Sequence, residues 1–256
     1  MSRVVSMERA LRLERLRAEV RGIAAAGKDP AAVLPFGLGE LDARLAGKGL
    51  ADAGVHEAAG ATGSYSDDAA ATLFLAGIAA RRARRHGTVL WAIARRDLFA
   101  PGLAQAGLGP DKLLIAEAGN DADVLAVMEE GLRHGALAAV VGEIGRAGLT
   151  ETRRLQLAAE EGGTMALLLR RWRRDDPLAE PSSALTRWRI GSAPSAPLSM
   201  PGIGRARWHV ELARQRGGPG FSLLLEASDA QGRLALPALS SHRPDQADRT
   251  DERRAA

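Results

Sequence analysis

Gly60, Gly63, Ser64, Ser66 and Asp67 lie in the turn of GVHEAAGATGSYSDDAAATLFLAGIAARRARR, residues 54–85. An apolar run precedes the turn and a long helical stretch follows it. Glycines and hydroxyls at a strand-to-helix junction suit phosphate, because the first N–H groups of the helix are free and its dipole presents a positive end. Phosphate chemistry also needs a cation, in the pattern G-x-x-x-x-G-K-[ST]. Counted from Gly60, the second glycine and the lysine fall on Tyr65 and Ser66; counted from Gly63, on Asp68 and Ala69. No lysine lies between Lys48 and Lys112. Asp67 and Asp68 stand where phosphate would lie. Each complements the helix dipole by about 0.3–1 kcal/mol, so capping the helix is their simplest role, and both would repel a triphosphate. The stretch has the layout of a phosphate cradle without its chemistry.

Arg170-Arg171-Trp172-Arg173-Arg174 is the second candidate. Arginines for phosphates and a tryptophan for base stacking suit single-stranded DNA. Asp175-Asp176 follows at once, and a solvated or partner-facing basic edge reads equally from the same residues. Arg81-Arg82-Ala83-Arg84-Arg85 closes a helix, where cations meet the negative dipole end. Arg205, Arg207, Arg214 and Arg216 flank a late strand and read as hairpin edges. Trp188 and Trp208 read as packing residues. The five histidines are scattered without metal-ligand spacing, and the chain has no cysteine, which excludes disulfides and thiolate metal sites. Neither a metal nor a cofactor is expected.

These residues need elements to position them. Leu13, Leu16, Val20 and Ile23 predict an amphipathic helix over residues 7–23, which packs on its own domain or offers a surface to a partner. Leu41, Leu45 and Leu50 suggest a small helix. Strands are expected at Val55–Ala59, Thr88–Ala94, Lys112–Ala116, Leu137–Val141 and Thr164–Leu169. Between them come helices from Asp67 to Arg85, around Ala100–Ala106, after an Asn120 cap, and from a Thr150 cap to Glu161. This alternation implies a mostly parallel sheet covered on both faces. Leu185–Ile190, Arg207–Ala213 and Phe221–Ala227 follow without helices and predict antiparallel hairpins.

The 256 residues are 46% hydrophobic but only 4% aromatic, so the core must be built from Ala, Leu and Val. The net charge is +4, and Lys28, Lys48 and Lys112 are its only lysines. Arginine richness beside so much alanine fits biased base composition as well as a nucleic-acid role. No run of about 18 apolar residues predicts a membrane span, and the first residues lack a hydrophobic signal segment. A cytoplasmic protein is expected, with an N-terminal helical segment over residues 1–30, a core over 31–239 and a polar, disordered tail over 240–256.

From about residue 34 to about 227 the chain resembles the RecA recombinase core, in order. FGLGELDARLAGKGLADAGVHEAAG resembles the approach to its phosphate loop, and DLFAPGLAQAGLGPDKLLIAEA the region after its second core strand. GNDADVLAVMEEGLRHGALAAVVGEIG resembles the helix and strand carrying Walker B, and EPSSALTRWRI the exit from its second DNA loop. LFAP, the A-L-x-x-V-V-G-E run and RRLQLAAE make the chain more similar to the shorter bacterial ImuA family, sometimes described as SulA-like or RecA-like. The fold this implies is an α/β, RecA-like core with a mostly parallel β-sheet flanked by helices, an N-terminal helix and C-terminal antiparallel hairpins.

The resemblance implies an accessory role in damage-induced mutagenesis. Its implied partners are an ImuB-type Y-family-like protein, an error-prone replicative-type DNA polymerase, RecA and single-stranded DNA; a homo-oligomer is also implied, and a membrane is not. It also implies three active-site positions. The phosphate-loop lysine is absent, Arg95 stands where a glutamate is expected, and Gly142 stands where V-V-D would put the Walker B aspartate. Glu143, one residue late, is expected to point to the other face of its strand. The expectation is a non-catalytic adaptor, nucleoid-associated on DNA damage, with Leu13, Leu16 and Val20 as its partner-binding stripe. The alternatives are a RecA-like DNA-dependent ATPase with an unorthodox phosphate site and a SulA-like cell-division inhibitor.

Overall fold

The computed structural model describes residues 32–172, 175–196, 202 and 204–237. The expected N-terminal helix and polar tail lie outside this range. Eight strands form one sheet in the order β10-β9-β8-β3-β7-β6-β4-β5. These are β3 (Gly54–Gly60), β4 (Val89–Ile93), β5 (Leu113–Glu117), β6 (Ala139–Ile144), β7 (Met165–Arg170), β8 (Thr186–Ala193), β9 (Arg207–Gln215) and β10 (Phe221–Glu226). From β8 to β5 all neighbours are parallel; β9 and β10 extend the sheet antiparallel. The central strands β3, β6 and β7 are buried along their whole length, as nearly continuous apolar runs covered on both faces should be.

Short β1 (Val33–Leu34) and β2 (Leu50–Ala51) pair beside the main sheet. The helix expected across Leu41, Leu45 and Leu50 is only α1, Gly39–Arg44. Leu50 instead pairs with Leu34, and at Gly49 an added Cβ would lie 2.8 Å from the Leu34 carbonyl oxygen. That close approach lets the two segments pair, while the helix has already ended at an extended Leu45.

Two layers cover the sheet. α2 (Tyr65–His86) and α3 (Ala100–Gln105) lie on one face, where Phe74, Leu75 and Ile78 join Trp91, Val141, Leu167 and Trp188 in one core. α4 (Asp121–His134) and α5 (Leu149–Gly162) lie on the other, where Val124, Met128, Leu132 and Leu155 meet Val55, Val140 and Leu168. Trp188 and Trp208 are buried in an aromatic cluster with Phe36, Phe74 and Phe221, with centroids 5.5–6.4 Å apart. Large rings thus fill the volume that an alanine-rich core cannot.

The helix ends follow local chemistry. Asn120 accepts the N–H of Asp123 at 3.0 Å to start α4, and left-handed Gly135 stops it. α5 starts two residues earlier than a Thr150 cap would set it. Gly148 is its N-cap, and the Glu151 carboxylate reaches back to the Gly148 N–H at 3.0 Å. α4 and α5 meet through glycine: a Cβ on Gly162 would lie 1.9 Å from the Leu132 carbonyl oxygen.

Candidate functional site

The C-terminal ends of β3, β6 and β7 converge at the N-terminus of α2, the edge where ligands of open parallel sheets bind. Ser64 is the N-cap of α2, and its hydroxyl accepts the N–H of Asp67 at 3.2 Å. The Asp67 carboxylate folds back into the turn. It accepts from the Thr62 N–H (3.1 Å), the Thr62 hydroxyl (2.6 Å), the Ser192 N–H (2.8 Å) and the Ser192 hydroxyl (2.9 Å). The carboxylate thus takes donors that a phosphate would use. Burial pushes its pKa up, but the bonds from Thr62 and Ser192 outweigh this and hold it below the usual carboxylate range.

The turn has no spare room. A Cβ on Gly60 would stand 3.0 Å from the backbone of Asp67 and Asp68. Trp172 lies over the turn, its indole N–H bonded to the Gly60 carbonyl at 2.8 Å and its side chain against Gly63. Ser66 stays at the exposed surface, sharing a 3.1 Å hydroxyl contact with Ser64.

One turn further in, a cation of the chain occupies the centre of the site. Arg171 donates to Glu143 at 2.7 and 3.1 Å and lies 3.6 Å from Asp68. The other Glu143 oxygen accepts the Trp91 indole N–H at 2.8 Å. This corrects the expectation for β6. Gly142 faces α4, where a Cβ would strike Met128, while Glu143 faces α2. Strand alternation is the reason: Val141, two residues earlier, belongs to the core on the α2 face. An acid therefore does stand at the end of β6 on the α2 side, and Arg171 and Trp91 already hold both its oxygens. Burial pushes the Asp68 carboxyl above its usual range against the pull of Arg171, and Glu143 adds to the rise.

Of residues 170–174, read from the sequence as a DNA surface, the structure describes three, and it takes Arg170 out of any such surface. Arg170 is fully buried and pairs with Glu57 (3.3 Å) and Glu180 (3.0 Å). Arg171 and Trp172 face the filled turn. The physical reason is the parallel sheet: Arg170 still belongs to β7, covered on both faces, so its charge had to be paired inside. Arg173 and Arg174 lie outside the described residues, as do Leu13, Leu16 and Val20. The loop that follows carries Asp175, Asp176 and Glu180, which pair with Arg146, Arg189 and Arg170. Arg82, from the other arginine cluster, is buried against Asp52 at 3.3 Å.

Glu57 also escaped the sequence reading. It is fully buried in the central strand and accepts from Arg170, from Arg187 (2.7 Å) and from Ser182 (2.8 Å). This network ties β3 to β7, β8 and the 171–185 connection. A carboxylate beside His56 within the mostly apolar run VHEAAG was its only sequence signal. Among the described residues, no group of three or more acidic or histidine side chains is placed to hold a metal.

Fold and site together define a RecA-like domain in which the turn before α2 is filled by the chain's own side chains. The RadB recombinase crystal structure superposes on it with a TM-score of 0.55 at 15% identity, covering 80% of this chain and 99% of that one. Protein ImuA of Caulobacter vibrioides, strains NA1000 and CB 15, is 36% identical over 211 residues, 79% of this chain and 86% of the relative. The chain belongs to the ImuA family. No family model matches it. Among the described residues, no helix is long and apolar enough to cross a membrane.

Proposed function

We propose that this protein is a non-catalytic adaptor of damage-induced translesion DNA synthesis, acting in the cytoplasm at damaged DNA. The relatives' name supports a part in a damage-induced mutagenesis system. The partners of this reading are an ImuB-type Y-family-like protein and an error-prone replicative-type polymerase, with RecA as a further contact. The observation that carries the non-catalytic part is the filled cradle. Asp67 takes the turn's donors, Arg171 sits between Asp68 and Glu143, and no lysine is present to neutralise phosphate charge.

The competing reading is a RecA-like ATPase with an unorthodox site, and Glu143 on the phosphate side favours it. For that acid to act, Arg171 would have to leave two charge-assisted hydrogen bonds, and a triphosphate would have to displace Asp67. Calorimetry with Mg-ATP separates the readings. The adaptor reading expects no binding; micromolar affinity overturns it. Co-purification of the full chain with the ImuB-type protein tests the adaptor role, and a failure of the pair to associate would reject it.

A further inference from the structure

Arg81, Arg84 and Arg85 fall three and four residues apart near the end of α2, so one face of the helix carries all three. A fourth arginine, Arg233, comes from the connection after β10. There Gly232 crosses α2 at backbone contact: a Cβ on it would lie 2.5 Å from the Gly77 carbonyl oxygen and 3.2 Å from the stem of Arg81. Arg205 fixes this connection by donating to the Ala227 and Arg233 carbonyls, both at 2.8 Å. Arg81 is ordered too, its guanidinium 5.5 Å from the centre of the buried Phe36 ring. Arg84, Arg85 and Arg233 are exposed. The group lies about 24 Å along α2 from Tyr65, far from the filled turn.

This face carries excess positive charge. Most arginines of the described residues sit within ion-pair distance of a carboxylate, as Arg82, Arg154 and Arg189 do. Among the described residues, none of these four does. Asp42 and Asp229 act on them only from further away. Asp42 accepts the Phe36 and Gly37 N–H groups at 2.7 and 2.8 Å, and Asp229 those of Gln231 and Arg233 at 2.8 and 2.9 Å. The neighbouring Arg82–Asp52 and Arg205–Glu226 pairs cancel within themselves. Four guanidiniums therefore face two carboxylates. Burial lowers the pKa of Arg81, Asp42 opposes this, and the charges of Arg85, Arg233 and Arg84 lower it further. Capping does not absorb the excess. The Gly87 N–H closes the helix on the Ala83 carbonyl at 2.9 Å, and Arg85 donates to Val33 rather than to a carbonyl of the helix. The dipole end offsets about half a charge.

The kind of partner follows from what the face lacks. No exposed large apolar side chain lies on this end of α2 or between Asp229 and Ala235. A protein interface is anchored by buried aromatic and aliphatic groups. A polyanion needs cations alone, because released counterions supply the affinity. Single strands are held by bases stacked on exposed rings, and the ring at this face, Phe36, is buried beneath Arg81. We infer that Arg81, Arg84, Arg85 and Arg233 bind the phosphate backbone of duplex DNA without reading its sequence. The inference goes beyond the adaptor reading and does not require it.

Fluorescence anisotropy of a short labelled random-sequence duplex, titrated with the full chain at several salt concentrations, tests it. With four phosphate contacts, wild type should lose affinity about a hundredfold between about 50 and 200 mM salt. Arg84→Ala/Arg85→Ala should weaken binding about tenfold or more at the lower salt and flatten the slope of log affinity against log salt by about two; Arg233→Ala should flatten it by about one. Arg153→Ala/Arg216→Ala removes the same charge from exposed arginines elsewhere and should leave the affinity within about twofold. Circular dichroism and urea midpoints establish that each variant folds. No duplex binding by wild type, or an equal loss in the Arg153→Ala/Arg216→Ala control, overturns the inference. Tighter binding of a single strand of the same sequence also overturns it. So does lost affinity of Arg84→Ala/Arg85→Ala for the purified ImuB-type protein with duplex binding unchanged, which would make this face a dock for an acidic segment.

Discussion

If Asp67 stands in for a bound phosphate, removing it should leave an anion site. Asp67→Ala strips four hydrogen bonds from the turn, two of them to the backbone N–H groups of Thr62 and Ser192. Charge-assisted bonds contribute about 1.5–3 kcal/mol each when their donors stay dry. Thr62 and Ser192 are exposed, so water replaces much of the loss. The net cost is then about 2–3 kcal/mol, read as a lower urea midpoint at unchanged m, or as a fall in Tm of roughly 6–9 °C. The sign with pH is fixed by the depressed pKa of Asp67. Its contribution is full above the ordinary carboxylate value of 3.8 and is lost as pH falls through the lower folded value, so the gap to wild type closes in acid. Inorganic phosphate should then restore part of the loss in the variant only. At ten times its Kd the recovery is about 1.4 kcal/mol. The reasoning fails if Asp67→Ala lies within about 0.5 kcal/mol of wild type, or if phosphate raises both proteins alike.

Three further outcomes follow from buried groups. His56 is buried between Thr186 (2.8 Å) and the Ala51 carbonyl (2.9 Å), and burial pushes its pKa from 6.5 down to about 4. The unfolded chain takes up a proton that the folded chain refuses, so wild-type stability should fall from about pH 6.5 to about 4 by roughly 3 kcal/mol. Urea midpoints of His56→Gln across that range should lack this slope, even if the variant is weaker at neutral pH. Glu57→Gln leaves Arg170 and Arg187 under-paired in the sheet and should cost about 3 kcal/mol or more by urea titration; an effect under about 1 kcal/mol would deny the network its role. Gly162→Ala should prevent α4 and α5 from closing and cost more than about 3 kcal/mol, because the obstacle is the Leu132 carbonyl rather than a movable side chain; a wild-type midpoint would contradict this.

Much of the fold was legible because the elements are punctuated locally. Asn120, Gly135, Gly87 and Gly163 end or start helices for reasons contained in a few neighbouring residues. The buried strands announce themselves as apolar runs. The reading slipped in two places, one decided by a distant strand partner and one by a competing neighbour. Leu50 looks helical until Leu34 pairs with it. Thr150 looks like a cap until Glu151 reaches Gly148.

The site divides the same way. The missing lysine at the phosphate turn is a matter of counting along the chain, and so is the placement of Asp67 and Asp68 at the start of α2. What fills the turn is not. Glu143 and Arg171 are 28 residues apart, and Asp67 and Ser192 are 125 apart. Whether Arg170 faces solvent or Glu57 depends on how far β7 runs and on what covers it. One residue of register on β6 decides whether Gly142 or Glu143 faces α2. Sequence alone determined where a glycine- and serine-rich turn leads into a long helix and that no lysine stands there, because those are local spacings. Only the tertiary structure decided that the turn is filled by the protein's own carboxylate and guanidinium groups, because burial favours pairing of charges and the partners come from different strands.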